Sequence, residues 1–506
     1  MDERGVGIQT DIKMSILIAA FLTFIVTYVI HFYWKVSKYP KGPLPIPFFG
    51  NILQFPMHDF HVYFDKLAKK YGPCYTVWTP APTVVVSDYE HLKDAFVTQG
   101  DAFTYRSQLP PETLAHPHLG TGIGQSNGEQ WRIQRRVALK ILRDFGMGKN
   151  LMEQQVVRSM NEMFDQLKPM ENKDVVDLYW PIQLCVGNVI NETLFGYHYK
   201  YEDCDKFKKF VRIVSDHLKM FSGPAQMMIA AFPWLRHFPI IGELGYHSIK
   251  RNIVNYHKFI EDEVASQVKE YDRASEPENF VHAYMQQMDQ AELPGLDMTN
   301  LCASALDFWL AGMETTSNSL RWHIAYMMKY PEVQDRVRKE IFEAVGTSRL
   351  PSMTDKPNMM YTQAVIHEIQ RHSNMTTLVG SHRNVKDVEI QGMKVPAGTN
   401  LIPQFWSIHR NDPVFEDSLK FNPDRYLQED GQTFNKAVLE RTIPFSIGKR
   451  NCVGEGLARM ELFLIFSALL QKYEFVPTSK VDLTPVVGGI PAVVPPFTCK
   501  LVPQTA

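Results

Sequence analysis

The chain has 506 residues, 45% of them hydrophobic, with 53 Lys and Arg against 55 Asp and Glu for a formal net charge of −2. That balance argues against a nucleic-acid partner. Six cysteines with no CxxC pair and no regular spacing argue against a disulfide framework and suit a reducing compartment. What remains is a globular, enzyme-sized chain with ample material for a core, whose partners are small molecules and proteins.

The first predicted element is a membrane anchor over residues 1–34. Met14 to Trp34 holds no Asp, Glu, Lys or Arg, over the length of about 20 residues that a helix needs to cross the hydrocarbon core. It ends in aromatic residues suited to the interface. The apolar run is long for a cleaved signal, and no small-x-small site comes after it. Lys35, Lys38 and Lys41 lie beyond the run while Asp2, Glu3 and Asp11 precede it, so the positive-inside rule places the C-terminal body in the cytosol. Residues 35–50 read as a linker in which Pro40, Pro43, Pro45 and Pro47 fix φ and remove donors. No repeat and no long flexible stretch divides residues 51–506, which read as one large domain.

Within that domain the pattern is mainly α with a small β component. Strand composition appears at 74–88, around a Pro-containing turn, and as short alternating runs at 387–404. "LGTGIGQSNG" (119–128) lacks the G-x-G-x-x-G spacing and comes after His-Pro-His rather than an apolar strand, so it is no dinucleotide loop. With no Walker A or Rossmann fingerprint anywhere, any nicotinamide or flavin sits on another protein.

A helix over 128–146 splits its basic residues into two stripes when wound at 3.6 residues per turn. Trp131 and Arg135 share one; Arg132, Arg136, Lys140 and Arg143 form the other. A long helix is predicted from a cap at Thr299 to Pro331, about 30 residues and roughly 45 Å. Inside it stands Ala-Gly-Met-Glu-Thr-Thr, 311–316. A mid-helix glycine costs about 1 kcal/mol against alanine, so Gly312 asks for a reason, and threonines there can bend the helix by bonding the i−4 carbonyl. Glu368 and Arg371 form an i, i+3 pair on one face, with Pro-Asp-Arg-Tyr (423–426) downstream.

The last motif is Phe445-x-x-Gly448-x-Arg450-x-Cys452-x-Gly454, directly before a predicted helix. Backbone N–H groups and the dipole at a helix start lower a thiol's pKa, and the thiolate is the metal-binding form. Five fixed positions of this kind, including a rare Cys, arise by chance in on the order of one chain in ten thousand.

At these residues the chain resembles the cytochrome P450 family, in its animal microsomal, drug- and lipid-oxidising branch. "LRDFGMGKN" (142–150) and "YPKGPLPIPFFGN" (39–51) extend the likeness over nearly the whole chain. The resemblance implies a P450-type fold with haem b between a long central helix and the Cys-bearing loop. It makes Cys452 the axial ligand of the haem iron, within the loop of Phe445, Gly448, Arg450 and Gly454. It makes Glu314 and Thr315 the acid–alcohol pair that relays protons, and Trp131, Arg135, Arg106, His382 and Arg450 the contacts of the haem propionates. Ser381 stands where a proline usually precedes that histidine. Glu368, Arg371 and Arg425 would form a buried structural network. The substrate wall would come from 103–125, 210–250, 301–310, 376–381 and 486–490, with Phe308, Trp309 and Val379 making it apolar.

The implied activity is monooxygenation of an apolar xenobiotic, fatty acid or steroid by O2. NADPH electrons would come from a separate flavoprotein reductase docking on the basic stripe and Lys449, with cytochrome b5 as a candidate second donor. The implied location is the endoplasmic reticulum membrane, with the catalytic domain cytosolic. A haem-thiolate isomerase or dehydratase of lipid peroxides and a non-catalytic haem gas sensor are the alternatives; the acid–alcohol pair speaks against both.

Overall fold

The computed structural model describes residues 3–504 apart from 57–58, 80, 108–112, 114–115, 117, 146–149, 221–223, 291–292, 378–381 and 487–490. Its longer helices are α1 (Glu3–Val36), α2 (Phe60–Tyr71), α3 (Gly128–Asp144), α4 (Asn150–Leu167), α5 (Tyr179–Phe195), α6 (Asp205–Met220), α7 (Ser248–Glu270), α8 (Phe280–Gln290), α9 (Met298–Lys329), α10 (Pro331–Ala344), α11 (Met360–Ser373) and α12 (Glu455–Lys472).

Helix α9 organises the rest. Its 32 residues span about 48 Å. The cap is Asp297, not Thr299: the Asp297 carboxylate accepts the Asn300 N–H at 2.7 Å, satisfying a donor that the first turn leaves open. Pro331 opens α10 just beyond the other end. Helices α5, α7 and α12 lie along α9. Together they enclose the largest hydrophobic core, in which Trp309, Trp322, Tyr284 and Phe207 are fully buried.

The strands at 74–88 and 387–404 form where alternation places them. β1 (Cys74–Thr79), β2 (Ala81–Val86), β3 (Tyr105–Arg106), β4 (His382–Arg383) and β7 (Asn400–Pro403) make a five-stranded sheet in the order β1-β2-β7-β4-β3. β5 (Val388–Ile390) pairs with β6 (Met393–Val395), and β8 (Tyr473–Pro477) with β9 (Cys499–Pro503). The antiparallel register of β3 and β4 sets Arg106 opposite His382. A second core beneath this sheet joins Val84, Val86, Phe96, Phe103 and Leu401.

The helix α1 runs beyond the expected 14–34, and an 18-residue window of its apolar part, Lys13–Val36, reaches a mean hydropathy of 2.2 with none of that window buried. The proline-rich stretch after it lies against β1. Phe32 and Tyr39 pack on Trp78 at 5.5 and 5.3 Å, and a Cβ on Gly42 would stand 1.9 Å from the Thr76 carbonyl oxygen.

Glu368 is fully buried and accepts two bonds from Arg371, at 2.7 and 2.8 Å, and one from Arg425 at 3.1 Å. Arg371 also donates to the His409 carbonyl at 2.8 Å. These bonds tie α11 to the segment 409–425, which leads to the Cys-bearing loop.

Candidate active site

The loop from Phe445 to Gly454 is held by its own backbone. Cys452 N–H donates to the Phe445 carbonyl at 3.0 Å and Asn451 N–H to that of Gly448 at 3.2 Å. Gly448 has φ +82°, and a Cβ there would meet the Phe96 carbonyl oxygen at 2.0 Å, so only glycine lets the loop close against the sheet side. α12 begins three residues after Cys452, with the Ala458 N–H on the Gly454 carbonyl.

Five of the six cysteines are buried or half-buried, and Cys452 alone is exposed. Its exposure is internal, because it lines a cavity of about 410 Å³ between α9, α3 and the loop. The sequence predicts a lowered thiol pKa; the structure shows it raised. Burial outweighs the Gly454 N–H and the charges of Arg135 and Arg459, which pull the other way. A cation bound at the sulfur would reverse that balance.

One side of the cavity is cationic. Arg450 is held by the Thr104, Ile123 and Ser126 carbonyls at 2.7, 3.1 and 2.5 Å, and its guanidinium lies 4.1 Å from the Trp131 ring centre. Burial, then the charges of Arg106 and Arg135, bring its pKa down to about 8. Arg106 falls to about 10 through burial and Arg135. Arg135 donates to Asn451 at 2.6 Å, and among the described residues neither it nor Arg450 makes a salt bridge. The buried Trp131 Nε1 has no partner. Three guanidiniums and an open N–H converging in a low-dielectric wall make a seat for carboxylates.

The opposite wall is α9. Thr315 lines the cavity and its hydroxyl donates to the Ala311 carbonyl at 2.5 Å. Ala311 is exposed to the same space. Gly312 itself lines the cavity, and a Cβ there would also stand 2.5 Å from Ile190 Cδ1, so the glycine keeps room beside α9 and eases the approach of α5.

The cavity thus gathers Arg106, Trp131, Arg135, Thr315, Phe445, Arg450, Cys452 and Gly454. Glu314 lies outside its wall, where Gln183 of α5 donates to its carboxylate at 3.0 Å. Gly448 lies in the loop but packs against Phe96 rather than lining the cavity. His382 is buried behind the wall, its Nδ1 2.8 Å from the Phe103 carbonyl and its ring 4.2 Å from that of Phe96. Burial, with Arg106 and Arg450 nearby, holds it neutral, while Arg383 turns outward. Phe308 and Thr376 line the cavity, whereas Trp309 packs in the core against Phe210 at 4.2 Å. Among the described residues of 210–250, none lines this cavity. Val379 and Ser381, with 487–490, fall outside the described residues.

Two acids on the wall are not anticipated from the sequence motifs. Asp307 accepts the Ile123 and Gly124 N–H groups at 2.7 and 2.9 Å, and burial raises its pKa to about 6. It lies two turns before Thr315 on the same helix face, a spacing that winding the sequence would show. Glu461 of α12 is buried, with Oε1 unpartnered. Burial pushes its pKa well up, against a hydrogen bond with Thr316. Its signal is a lone acid inside the apolar run Met460–Phe466.

These residues fit haem. A thiol faces the cavity, the cationic seat and the open Trp131 N–H match two propionates, and a Cβ at Gly454 would meet nothing within 4 Å, leaving the wall flat beside the thiol.

The family model of cytochrome P450 matches residues 40–500. Curated relatives include cytochrome P450 2G1 of Rattus norvegicus, 34% identical over 479 residues, covering 92% of this chain and 94% of the relative. Cytochrome P450 2F2 of Mus musculus is 33% identical over 475 residues (91% and 93%). Cytochrome P450 2C23 of Rattus norvegicus is 33% identical over 477 (92% and 94%). With a match of that extent and a site that fits haem, the chain belongs to the cytochrome P450 family and is a haem-thiolate monooxygenase.

Proposed function

We propose that this monooxygenase oxidises an apolar xenobiotic, fatty acid or steroid, with electrons from a separate NADPH-dependent flavoprotein reductase and cytochrome b5 as a second donor. The observation that carries the substrate class is the apolar surface of the cavity beside the haem seat, given by Phe308, Ala311, Leu142 and Ile190, with Asp307, Thr315 and Glu461 as polar exceptions. Bound haem would be held by Cys452 and by Arg106, Trp131, Arg135 and Arg450, with His382 bracing Arg106 across the sheet. It supplies dioxygen activation, in which one oxygen atom enters the substrate and the other leaves as water.

The protein's own part is to exclude water and deliver protons. Thr315 holds a proton at Oγ1 on the Ala311 carbonyl, and turning χ1 aims it into the cavity. Glu314 is the acid behind it, and serves the cavity by exchanging its bond to Gln183. A hydroxyl at this point speaks against the peroxide isomerase reading, which needs no proton donor.

Exposed Arg132, Arg136, Lys140 and Arg143 share one face of α3. Arg132 and Lys449 both approach Asp101, at 3.8 and 2.5 Å, which joins that face to the Cys loop. An acidic electron donor fits there. The helix α1 would anchor the chain in the endoplasmic reticulum membrane with the body cytosolic. Exposed Trp234, Phe238, Ile240 and Leu244 offer a second apolar contact, linked to the proline-rich stretch through Phe232 and Phe48 at 5.3 Å. The deciding experiment is metabolite profiling with purified reductase against fatty acids, steroids and model drugs. A product in any class supports the reading; NADPH oxidation with no product in all three overturns it.

A further inference from the structure

The haem cavity does not absorb the His-Pro-His stretch that precedes Leu119. In the structure His116 Nε2 is 3.3 Å from His257 Nε2 of α7, and the two rings are perpendicular with centres 4.6 Å apart. The His118 ring is 6.2 Å from that of His257. Its Nε2 lies 3.9 Å from Glu261 Oε1, one turn along α7 from His257. His217 of α6 stands nearby, its ring 5.1 Å from Tyr256.

Two imidazole nitrogens this close share either a proton or a cation. At 3.3 Å the pair is at the long limit of an N–H bond. Two nitrogens each about 2.0–2.1 Å from one tetrahedral zinc stand roughly 3.3–3.4 Å apart, the edge of the tetrahedron. A neutral imidazole offers one nitrogen lone pair to a metal and keeps its ring proton on the other nitrogen.

Among the described residues no three such side chains already surround one point, so a complete shell requires side-chain rotation. His118 and Glu261 are 45% and 46% accessible and have room to turn. A metal on His116 Nε2 puts the ring proton on Nδ1, which ends the 3.3 Å contact from the His118 N–H and releases that residue.

We propose that His116, His118, His257 and Glu261 form a binding site for one zinc-like divalent cation, separate from the haem site. The metal fastens to α7 the loop that supplies Ile123 and Gly124 to the cavity wall, and so stiffens one wall of the substrate space.

The test uses the full-length, haem-loaded protein, stripped of other metals by chelation and titrated with zinc. Zinc-edge X-ray absorption reads the shell without interference from iron. One equivalent of zinc is expected, with at least two imidazoles and an oxygen ligand. His257→Ala and His116→Asn should each weaken binding by about tenfold or more, with the haem spectrum unchanged, while the surface control His237→Ala should not. His116→Asn lies on a half-buried loop and keeps the test decisive if the buried His257→Ala fails to fold. Absence of binding at roughly tenfold excess zinc over protein, or binding untouched by His116→Asn, overturns the proposal.

Discussion

Cys452 presents its thiol to a cavity that no other cysteine reaches. Cys452→Ala should abolish the red-shifted Soret band of the carbon monoxide spectrum; an unchanged band would place the iron on another residue. Thr315→Ala should leave haem content and NADPH oxidation largely intact while product per NADPH falls several-fold and hydrogen peroxide rises. Measuring both on one substrate checks it, and equal coupling in mutant and parent rejects the role given to the hydroxyl. Asp307 supplies a pH dependence. Its folded pKa of about 6 lies above the ordinary value of 3.8, so the folded state binds the extra proton between those values. The stabilisation is present below the lower value and lost as pH rises through the higher. Asp307→Asn removes that slope, so its melting temperature should gain on the parent between pH 4 and pH 7. The Cys loop is legible in the sequence because its constraints are local, all within residues 445–454. The direction of Glu314 is not, because it depends on Gln183 lying across the α5–α9 interface, over a hundred positions away.

Helix α9 shows how far periodicity carries. Its length and its end before Pro331 are legible from spacing and proline alone, but the cap falls on Asp297 because that carboxylate meets the Asn300 N–H. Phe308 and Trp309, neighbours in sequence, part company: a step of about 100° sends one to the cavity and the other into the core against Phe210. Only the neighbouring helix decides which. The Glu368 network is legible as a pair on α11, while the third member, Arg425, arrives from 57 positions away. Glu368 is sealed from solvent, so Arg371→Leu leaves a buried charge half-compensated and should cost about 3–5 kcal/mol, read by chemical unfolding or as loss of haem-containing protein on expression. A surface pair would lose under about 1 kcal/mol. Gly448→Ala should likewise fail to retain haem, because its Cβ meets backbone at 2.0 Å and no side chain can move aside.

At the scale of the whole molecule, an apolar helix and a basic face point to two different partners. Removing residues 1–34 should release much of the protein from microsomes with haem retained; complete retention would assign membrane binding to the Trp234–Leu244 surface. Arg136→Glu should raise the KM for reductase several-fold and flatten its salt dependence, because fewer attractive charges remain to be screened, with the carbon monoxide spectrum unchanged. The convergence of Arg106, Arg135 and Arg450 bears on the protein's lifetime in the cell. Without the anionic groups that the seat fits, three buried like charges repel one another. Newly made chains therefore compete between loading and degradation. When porphyrin supply is short, the cell's proteases should clear empty chains ahead of filled ones, so abundance of this protein should track porphyrin supply even at constant messenger level.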